Sequence, residues 1–245
     1  MMNNPISKID KGLSLTEKTE QQLVEAIRQK IFLPGDKLLG EIELAENFGV
    51  SRTVLREALH RLVGRGILEA RRGSGFYVAT DQFSPVTDSL YHLLEIKCGG
   101  AGLLNIVDVR LVVEPEIARL AALNRTDEEL KSLTDCYARM EAQINNPENM
   151  VRFDIDFHRL IAKATNNPIL PVMMEPIFQL MFKFVSQTYN YPHSPLLALK
   201  SHSNIISALE KEDGERAFNA MGKHMLEAKE HAQYLKKNEP GSSEI

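Results

Sequence analysis

The sequence predicts a mainly α-helical protein of two domains, the first with one small β-hairpin and the second an antiparallel helical bundle. Three observations support this fold class. Apolar residues recur at helical spacing along most of the chain. Two short strand-like segments, residues 67–72 and 76–78, flank the glycine-rich turn Gly73-Ser74-Gly75. After residue 95 no strand signal appears, and Asn-Pro, Tyr-Pro and Asp-Gly pairs separate the remaining helical segments.

The composition is that of an ordinary globular protein. Of the 245 residues, 43% are hydrophobic and 25% are charged, with a net charge of −4. No apolar run approaches the ~18 residues that span a bilayer, and the N-terminus MMNNPISKIDKG lacks the features of a signal peptide. We therefore expect a cytoplasmic protein. Cys98 and Cys136 are too few for a disulfide scaffold, and we expect both to be free thiols.

Positive charge is concentrated in the first third of the chain. Residues 1–80 carry 12 basic against 10 acidic side chains, whereas residues 81–245 carry 17 against 23. Residues 51–76 alone contain six arginines and only two glutamates. A local basic patch on an acidic protein indicates a polyanionic partner such as a nucleic acid. The alternative is an ordinary solvated helix face.

Residues 13–80 are predicted to form three helices before the hairpin. The first begins at Thr16 and buries Leu23, Ile27 and Ile31. The second spans residues 41–48, and the third runs from Ser51, its predicted N-cap, to about residue 62. Two helices joined at a glycine corner and followed by a hairpin are the arrangement of a winged helix-turn-helix.

The third helix would be the DNA-contacting element of this domain. Arg52, Thr53 and Arg56 lie on its first exposed turns, the end that meets base edges when such a helix enters the major groove. The alternative is a small packed module of three helices and a hairpin that binds no DNA.

The remainder is divided into a linker over residues 81–95, a helical domain over residues 96–237 and a disordered tail over residues 238–245. Ser84-Pro85 is the expected break within the linker. In the helical domain Thr126 and Glu129 form a predicted capping box. The expected helices cover residues 106–123, 127–143, 148–166, 168–190, 195–211 and 214–236.

Three histidines are predicted to face the interior of this bundle. His158 lies one helical turn after Asp154, beside the apolar stripe of the motif FDIDFHRL, while His202 and His224 share faces with apolar neighbours on two later helices. A single buried imidazole is usually a hydrogen-bonded core residue. Three imidazoles with a carboxylate suit a divalent metal, with zinc favoured over nickel, manganese or cobalt. His231 is a rival third ligand.

Nearly the whole chain resembles a known family. The segment PGDKLLGEIELAENFGVSRTVLREALHRLVGRGILEARRGSGFYVA is similar to the winged domain of GntR-family bacterial transcription regulators. The later motifs VRLVVEPEIARLAA, DIDFHRLIAKATNNP and HSNIISALEKEDGERAFNAMGKH resemble the helical effector domain of the FadR-type branch, called the FCD domain. The resemblance implies a homodimer that binds a palindromic operator. It also implies metal binding by Asp154, His158, His202 and His224.

A carboxylate effector is the further implication of this resemblance. The ligand would be a sugar acid or organic acid that completes the metal coordination, with Arg110 at the position of the arginine that pairs with the carboxylate. The alternative for Arg110 is a surface ion pair with Glu114 at i, i+4. The commoner action in similar proteins is repression relieved by ligand, and activation is the other possibility.

One departure from the family pattern concerns DNA. The family usually has Pro-Ser-Glu-Arg where this chain has Leu39-Gly40-Glu41-Ile42, so Ile42 replaces an arginine. The other expected DNA contacts, Arg52, Thr53, Arg56, Arg72 and Gly73, are retained. We therefore expect fewer side chains to contact the DNA bases, and an operator sequence that differs from the usual one of the family.

Two rival functions remain at the level of sequence. The first is a metal-dependent hydrolase with a DNA-binding domain, for which Asp156 would be the general base to test, although it points away from the Asp154/His158 strip. The second is an architectural DNA-binding protein that responds to no small acid.

Overall fold

The computed structural model describes residues 12–80, 84–98, 102–188 and 194–238. The described residues form two compact units that divide between Val86 and Thr87. The predicted disordered tail lies, apart from residue 238, outside the described residues, as does the loop that contains His193. Within the described residues no helix is both long and apolar enough to cross a membrane.

The N-terminal unit is a helix-turn-helix with a β-hairpin, as predicted. Its elements are α1 (Leu15–Arg28), α2 (Glu41–Phe48), α3 (Arg52–Gly64), β1 (Leu68–Arg71) and β2 (Gly75–Val78). The two strands are antiparallel, with Leu68 opposite Val78 and Arg71 opposite Gly75. Leu23, Leu55 and Leu59 are fully buried in the core that joins α1 to α3.

Local capping explains where these helices begin and end. Ser14 and Glu17 form a capping box at the start of α1, and the Ser51 side chain accepts a hydrogen bond from the Val54 amide at the start of α3. Gly49 ends α2 in the left-handed conformation at φ +63°, which glycine adopts without steric cost. The predicted burial of Ile31 is wrong, because α1 stops at Arg28 and Ile31 is 64% exposed.

The C-terminal unit consists of helices throughout its described residues, also as predicted. They are α4 (Ser84–Cys98), α5 (Gly102–Asn124), α6 (Asp127–Ala142), α7 (Pro147–Lys163), α8 (Ile169–Thr188), α9 (Ser194–Glu210) and α10 (Gly214–Asn238). The predicted capping box of Thr126 and Glu129 is present at the start of α6. Phe157 and Phe178 are among the largest side chains buried in the core, which draws on α5 to α10.

Residues 84–98 differ from the linker predicted over residues 81–95. They form α4, from which Tyr91 and Leu94 pack against the core of the C-terminal unit. Ser84-Pro85 was interpreted as a break, but proline is tolerated in the first turn of a helix, where its missing N–H would have no helical acceptor. A proline preceded by serine therefore marks the beginning of this helix.

Candidate metal centre and DNA-contacting surface

Three helices bring the four predicted metal ligands together. Asp154 and His158 lie one turn apart on α7, His202 lies on α9, and His224 lies on α10. Each offers one ligand atom, and these atoms all lie within 4.8 Å of one another. All four side chains are buried. The cluster is therefore compact enough to hold one metal ion.

The facing atoms of the cluster are ring nitrogens and one carboxylate oxygen. His158 Nε2 lies 3.3 Å from His224 Nε2, and His202 Nε2 lies 3.2 Å from Asp154 Oδ1. The His202 ring packs against Phe157 with 4.5 Å between ring centroids. This packing holds the imidazole on one side while its Nε2 faces the carboxylate.

His202 carries the clearest evidence that the cluster suits a metal. The residue is fully buried, and neither ring nitrogen has a hydrogen-bond partner among the described residues. A buried polar atom without a partner costs about 1–3 kcal/mol. A metal ion would satisfy a nitrogen directly, because a neutral imidazole binds a divalent cation through its lone pair.

The electrostatics keep two of these imidazoles neutral. Burial is the main cause that lowers the pKa of His202 to about 4, with Asp154 opposing the shift and His158 adding to it. Burial, followed by the neighbouring His202 and His158, holds the pKa of His224 well below 6.5. Both rings are therefore deprotonated at neutral pH, which is the form that binds metal.

Arg110 lies beside this cluster, paired with Glu114. Arg110 Nε donates to Glu114 Oε1, and Arg110 Nη2 lies 3.1 Å from His158 Nε2. Both side chains of the pair are only 3% exposed. The alternative of a surface ion pair is therefore wrong: the pair exists, but α5 is buried here against α7 and the pair belongs to the site.

Glu114 is the site residue that the sequence reasoning missed. Its Oε2 is in direct contact with His158 Nδ1, so one carboxylate faces both Arg110 and His158. Burial would raise the pKa of Glu114, but Arg110 and His158 outweigh it and lower that pKa to about 2. An ionised Glu114 favours the tautomer of His158 that carries its proton on Nδ1. The lone pair of Nε2 is then directed at the cluster.

Replacing Glu114 with glutamine is expected to weaken metal binding about 10- to 100-fold, the usual effect of losing the group that orients a metal-bound histidine. The amide replaces one carboxylate oxygen with an NH₂ donor, so Arg110 and His158 can no longer each face an acceptor oxygen. Metal titration by calorimetry measures the affinity, and nitrogen NMR of His158 reports which ring nitrogen carries the proton. Glu116→Gln is the matched control, because Glu116 is an exposed partner of Arg119 on the same helix. Equal affinity in the two variants would contradict the role of Glu114.

A cavity of about 40 Å³ opens from the cluster. Its lining includes Arg110, Asp154, His224, Glu227 and His231. A volume above about 10–15 Å³ is enough for one water molecule. His231 lies outside the four-residue cluster, as does Asp156, which is exposed and pairs with Arg159. Arg110 and two of the four proposed metal ligands, Asp154 and His224, thus line one cavity.

On the N-terminal unit the predicted base-contacting residues are exposed. Arg52 and Thr53 form the first turn of α3, and Arg56 lies one turn later, with its Nε 3.3 Å from Glu41 Oε2. In the wing, Arg72 is exposed and Gly73 adopts φ +73° in the turn between β1 and β2. Within the described residues Arg52 and Arg72 make no ion pair.

Two arginines of the basic segment are engaged elsewhere. Arg61 and Arg65 both pair with Glu20 of α1, at 3.3 and 2.8 Å. Ile42 is 58% exposed near the start of α2. Of the six arginines in residues 51–76, Arg52 and Arg72 are therefore the two without an ion pair among the described residues.

Two family models match the chain, one for each unit. The model described as bacterial regulatory proteins, gntR family, matches residues 15–78, and the model of the FCD domain matches residues 105–227. Both matches agree with the resemblance found in the sequence motifs.

Similar proteins match over most of the chain. The Uxu operon regulator of Haemophilus influenzae is 31% identical over 216 residues, which cover 85% of this chain and 78% of that protein. The Glc operon transcriptional activator of Escherichia coli is 29% identical over 238 residues, covering 94% and 90%. The solved structure of Streptococcus agalactiae GntR is 28% identical, with a TM-score of 0.73 and coverage of 88% and 99%.

Proposed function

Because the chain belongs to the GntR family of bacterial transcription regulators and carries an FCD domain, we propose that it is a regulator controlled by a small carboxylate bound at a metal in its C-terminal unit. The similar proteins described above are transcription regulators, so they give no support to the alternative of a metal-dependent hydrolase. The proposal rests mainly on one observation: two residues of the buried Asp154/His158/His202/His224 cluster, Asp154 and His224, line the same cavity as the buried Arg110.

The chemistry of these groups suits a carboxylate ligand. Asp154, His158, His202 and His224 would hold the ion, which, when bound, supplies positive charge for carboxylate oxygens. Three nitrogens and one oxygen favour zinc, with nickel, manganese or cobalt as alternatives. Arg110 would add a planar pair of N–H donors, which match the two oxygens of a carboxylate. Glu114 holds this arginine in place and keeps its charge compensated.

For DNA binding we propose a homodimer that places two α3 helices on the half-sites of a palindromic operator. Arg52, Thr53 and Arg56 would contact bases, and Arg72 and Gly73 of the wing would contact the backbone or groove. The exposed Ile42 offers no charge for a phosphate, so we expect an operator different from that of relatives with arginine there.

The direction of control that we propose is repression relieved by the ligand. A ligand shifts DNA binding only if it binds one arrangement of the two winged units more tightly than the other. One relative is named as an activator, so the same architecture also serves activation in that protein. A gel shift on the DNA upstream of the gene, repeated with each carboxylic acid that raises the melting temperature, distinguishes release from tighter binding. No effect of any acid would favour the architectural alternative.

Replacing Arg52 or Arg56 with alanine is expected to weaken operator binding by about 1–3 kcal/mol, the usual cost of losing a side chain that reads a base. Each variant would lose the hydrogen bonds that its arginine donates to base edges in the major groove. Fluorescence anisotropy with labelled operator DNA measures the change. Arg28→Ala is the control, because Arg28 is an exposed arginine of the same unit, on α1. If the Arg52 and Arg56 variants bind like the control, neither residue belongs to the recognition surface.

A further inference from the structure

Beyond His224, α10 continues along the ligand cavity with a second acidic group. Glu227, Ala228 and His231 follow His224 on the face that lines the cavity. Glu227 Oε2 accepts a hydrogen bond of 2.7 Å from Ser201 Oγ on α9, and the Glu227 side chain is 28% exposed. The carboxylate is thus held in place at the cavity wall by a neighbouring helix.

The second oxygen of Glu227 makes a weaker contact. Among the described residues it pairs with Lys223, whose Nζ lies 3.9 Å from Oε1 and whose side chain is 73% exposed. An ion pair that exposed is weak, because water screens it. A ligand that donates a hydrogen bond to Glu227 Oε1 could therefore replace the contact with Lys223.

The cavity consequently carries side chains of both signs. Arg110 and the proposed metal ligands Asp154 and His224 line it, and so does Glu227, which lies one helical turn after His224 on α10. A ligand that pairs one carboxylate with Arg110 and fills the cavity would therefore bring its other polar groups near Glu227. Those groups must then suit a fixed negative charge.

We propose that Glu227 selects the class of ligand, so that hydroxylated monocarboxylic acids are accepted and dicarboxylic acids are rejected. This inference rests on the proposed carboxylate-binding function of the same cavity. A ligand hydroxyl can donate a hydrogen bond to the Glu227 carboxylate. A second ligand carboxylate has no proton to donate and would be repelled by a like charge in a partly buried site.

Such selection is a form of discrimination by repulsion. Tight binding of one carboxylate at Arg110 does not by itself separate a monoacid from a diacid of equal length, since both present that group. An opposing charge at the far end penalises the diacid alone. We therefore expect the preference to depend on Glu227 and to fall when its charge is removed.

Matched pairs of acids test this proposal on the full-length protein loaded with zinc. Each pair differs only at the end opposite the shared carboxylate, which is CH₂OH in one member and a carboxylate in the other. Suitable pairs for a small cavity are 3-hydroxypropionate with malonate and threonate with tartrate. Titration calorimetry measures binding, and elemental analysis after each titration checks that the acid has not removed the zinc.

In the wild type, at least one hydroxy acid is expected to bind roughly 10-fold or more tightly than its diacid, because a like-charge contact is unfavourable even in a partly buried cavity. Glu227→Gln should bring the two affinities within about 3-fold of each other, because the amide keeps an acceptor for Ser201 but carries no charge. Glu230→Gln is the matched control: Glu230 is exposed on the same helix and does not line the cavity. That variant should keep the wild-type preference.

Three results would overturn the proposal. The first is a wild type that binds the diacid as tightly as the hydroxy acid in every pair, and the second is a preference that survives in Glu227→Gln. Either result would leave carboxylate binding itself intact. The third is no binding of any acid in any pair, which would contradict the proposed function and this inference with it. Circular dichroism establishes that both variants are folded before they are titrated.

Discussion

Replacing His202 with alanine is expected to abolish high-affinity metal binding and the stabilisation that comes with it. A metal at about 1,000 times its dissociation constant stabilises the native state by about 4 kcal/mol. For a protein of this size that corresponds to a rise in melting temperature of roughly 10 °C. Neither ring nitrogen of His202 has a hydrogen-bond partner among the described residues, so the variant loses a ligand and the contact with Asp154 but no internal hydrogen bond.

Elemental analysis and thermal unfolding measure this effect directly. Wild-type protein should bind close to one metal ion per chain and melt at a lower temperature after chelation. His202→Ala should contain no bound metal, and chelation should not change its melting temperature. His92→Ala is the control, since His92 is exposed on α4. Full metal binding by His202→Ala would contradict the four-residue site. Loss of metal in His231→Ala would indicate that His231 is a ligand instead.

Replacing Arg110 is expected to remove the response to the carboxylate while sparing DNA binding. A charged hydrogen-bonding group contributes about 1.5–3 kcal/mol, so acid binding should weaken about 10- to 100-fold. Arg110→Ala also leaves Glu114 buried beside His158 alone, at a cost of about 3–5 kcal/mol in stability. Arg110→Lys is therefore the second variant: it keeps the positive charge but lacks the planar pair of donors.

The readouts for these variants are acid affinity by calorimetry and operator affinity by fluorescence anisotropy. Arg119→Ala is the control, because Arg119 lies two to three turns further along α5 and pairs with Glu116 near the surface. A normal acid response in the folded Arg110→Lys variant would reject the role of the paired donors. Weakened operator binding without acid would place Arg110 in a structural role.

The fold could be predicted from local signals of the sequence, and the exceptions have physical causes. The capping residues Ser51 and Thr126 indicated helix starts correctly, because a cap depends only on its own turn. The helical state of residues 84–98 was missed because proline and serine begin a helix as readily as they interrupt one. The exposure of Ile31 was missed because its apolar spacing continues beyond the last residue of α1.

The candidate site also contains residues that the sequence predicts and one that it does not. The Asp154/His158 pair follows from helical spacing. That His202 and His224 lie beside this pair is a hypothesis at the level of sequence, and the packing of α7, α9 and α10 brings the four side chains together. Glu114 could not be identified, because an arginine and a glutamate at i, i+4 look alike on a surface and in a core. Only the packing of α5 against α7 gives this pair its contact with His158.

The most direct test of the account measures operator affinity with and without the acid, in metal-loaded and chelated protein. The DNA is the region upstream of the gene, and the acid is the tightest binder found by thermal shift. We expect the acid to weaken DNA binding at least 10-fold in metal-loaded wild type, a coupling within the usual range. We expect no change in chelated protein, His202→Ala or Arg110→Lys. An equal response in all four samples, or none in metal-loaded wild type, would contradict control through this site.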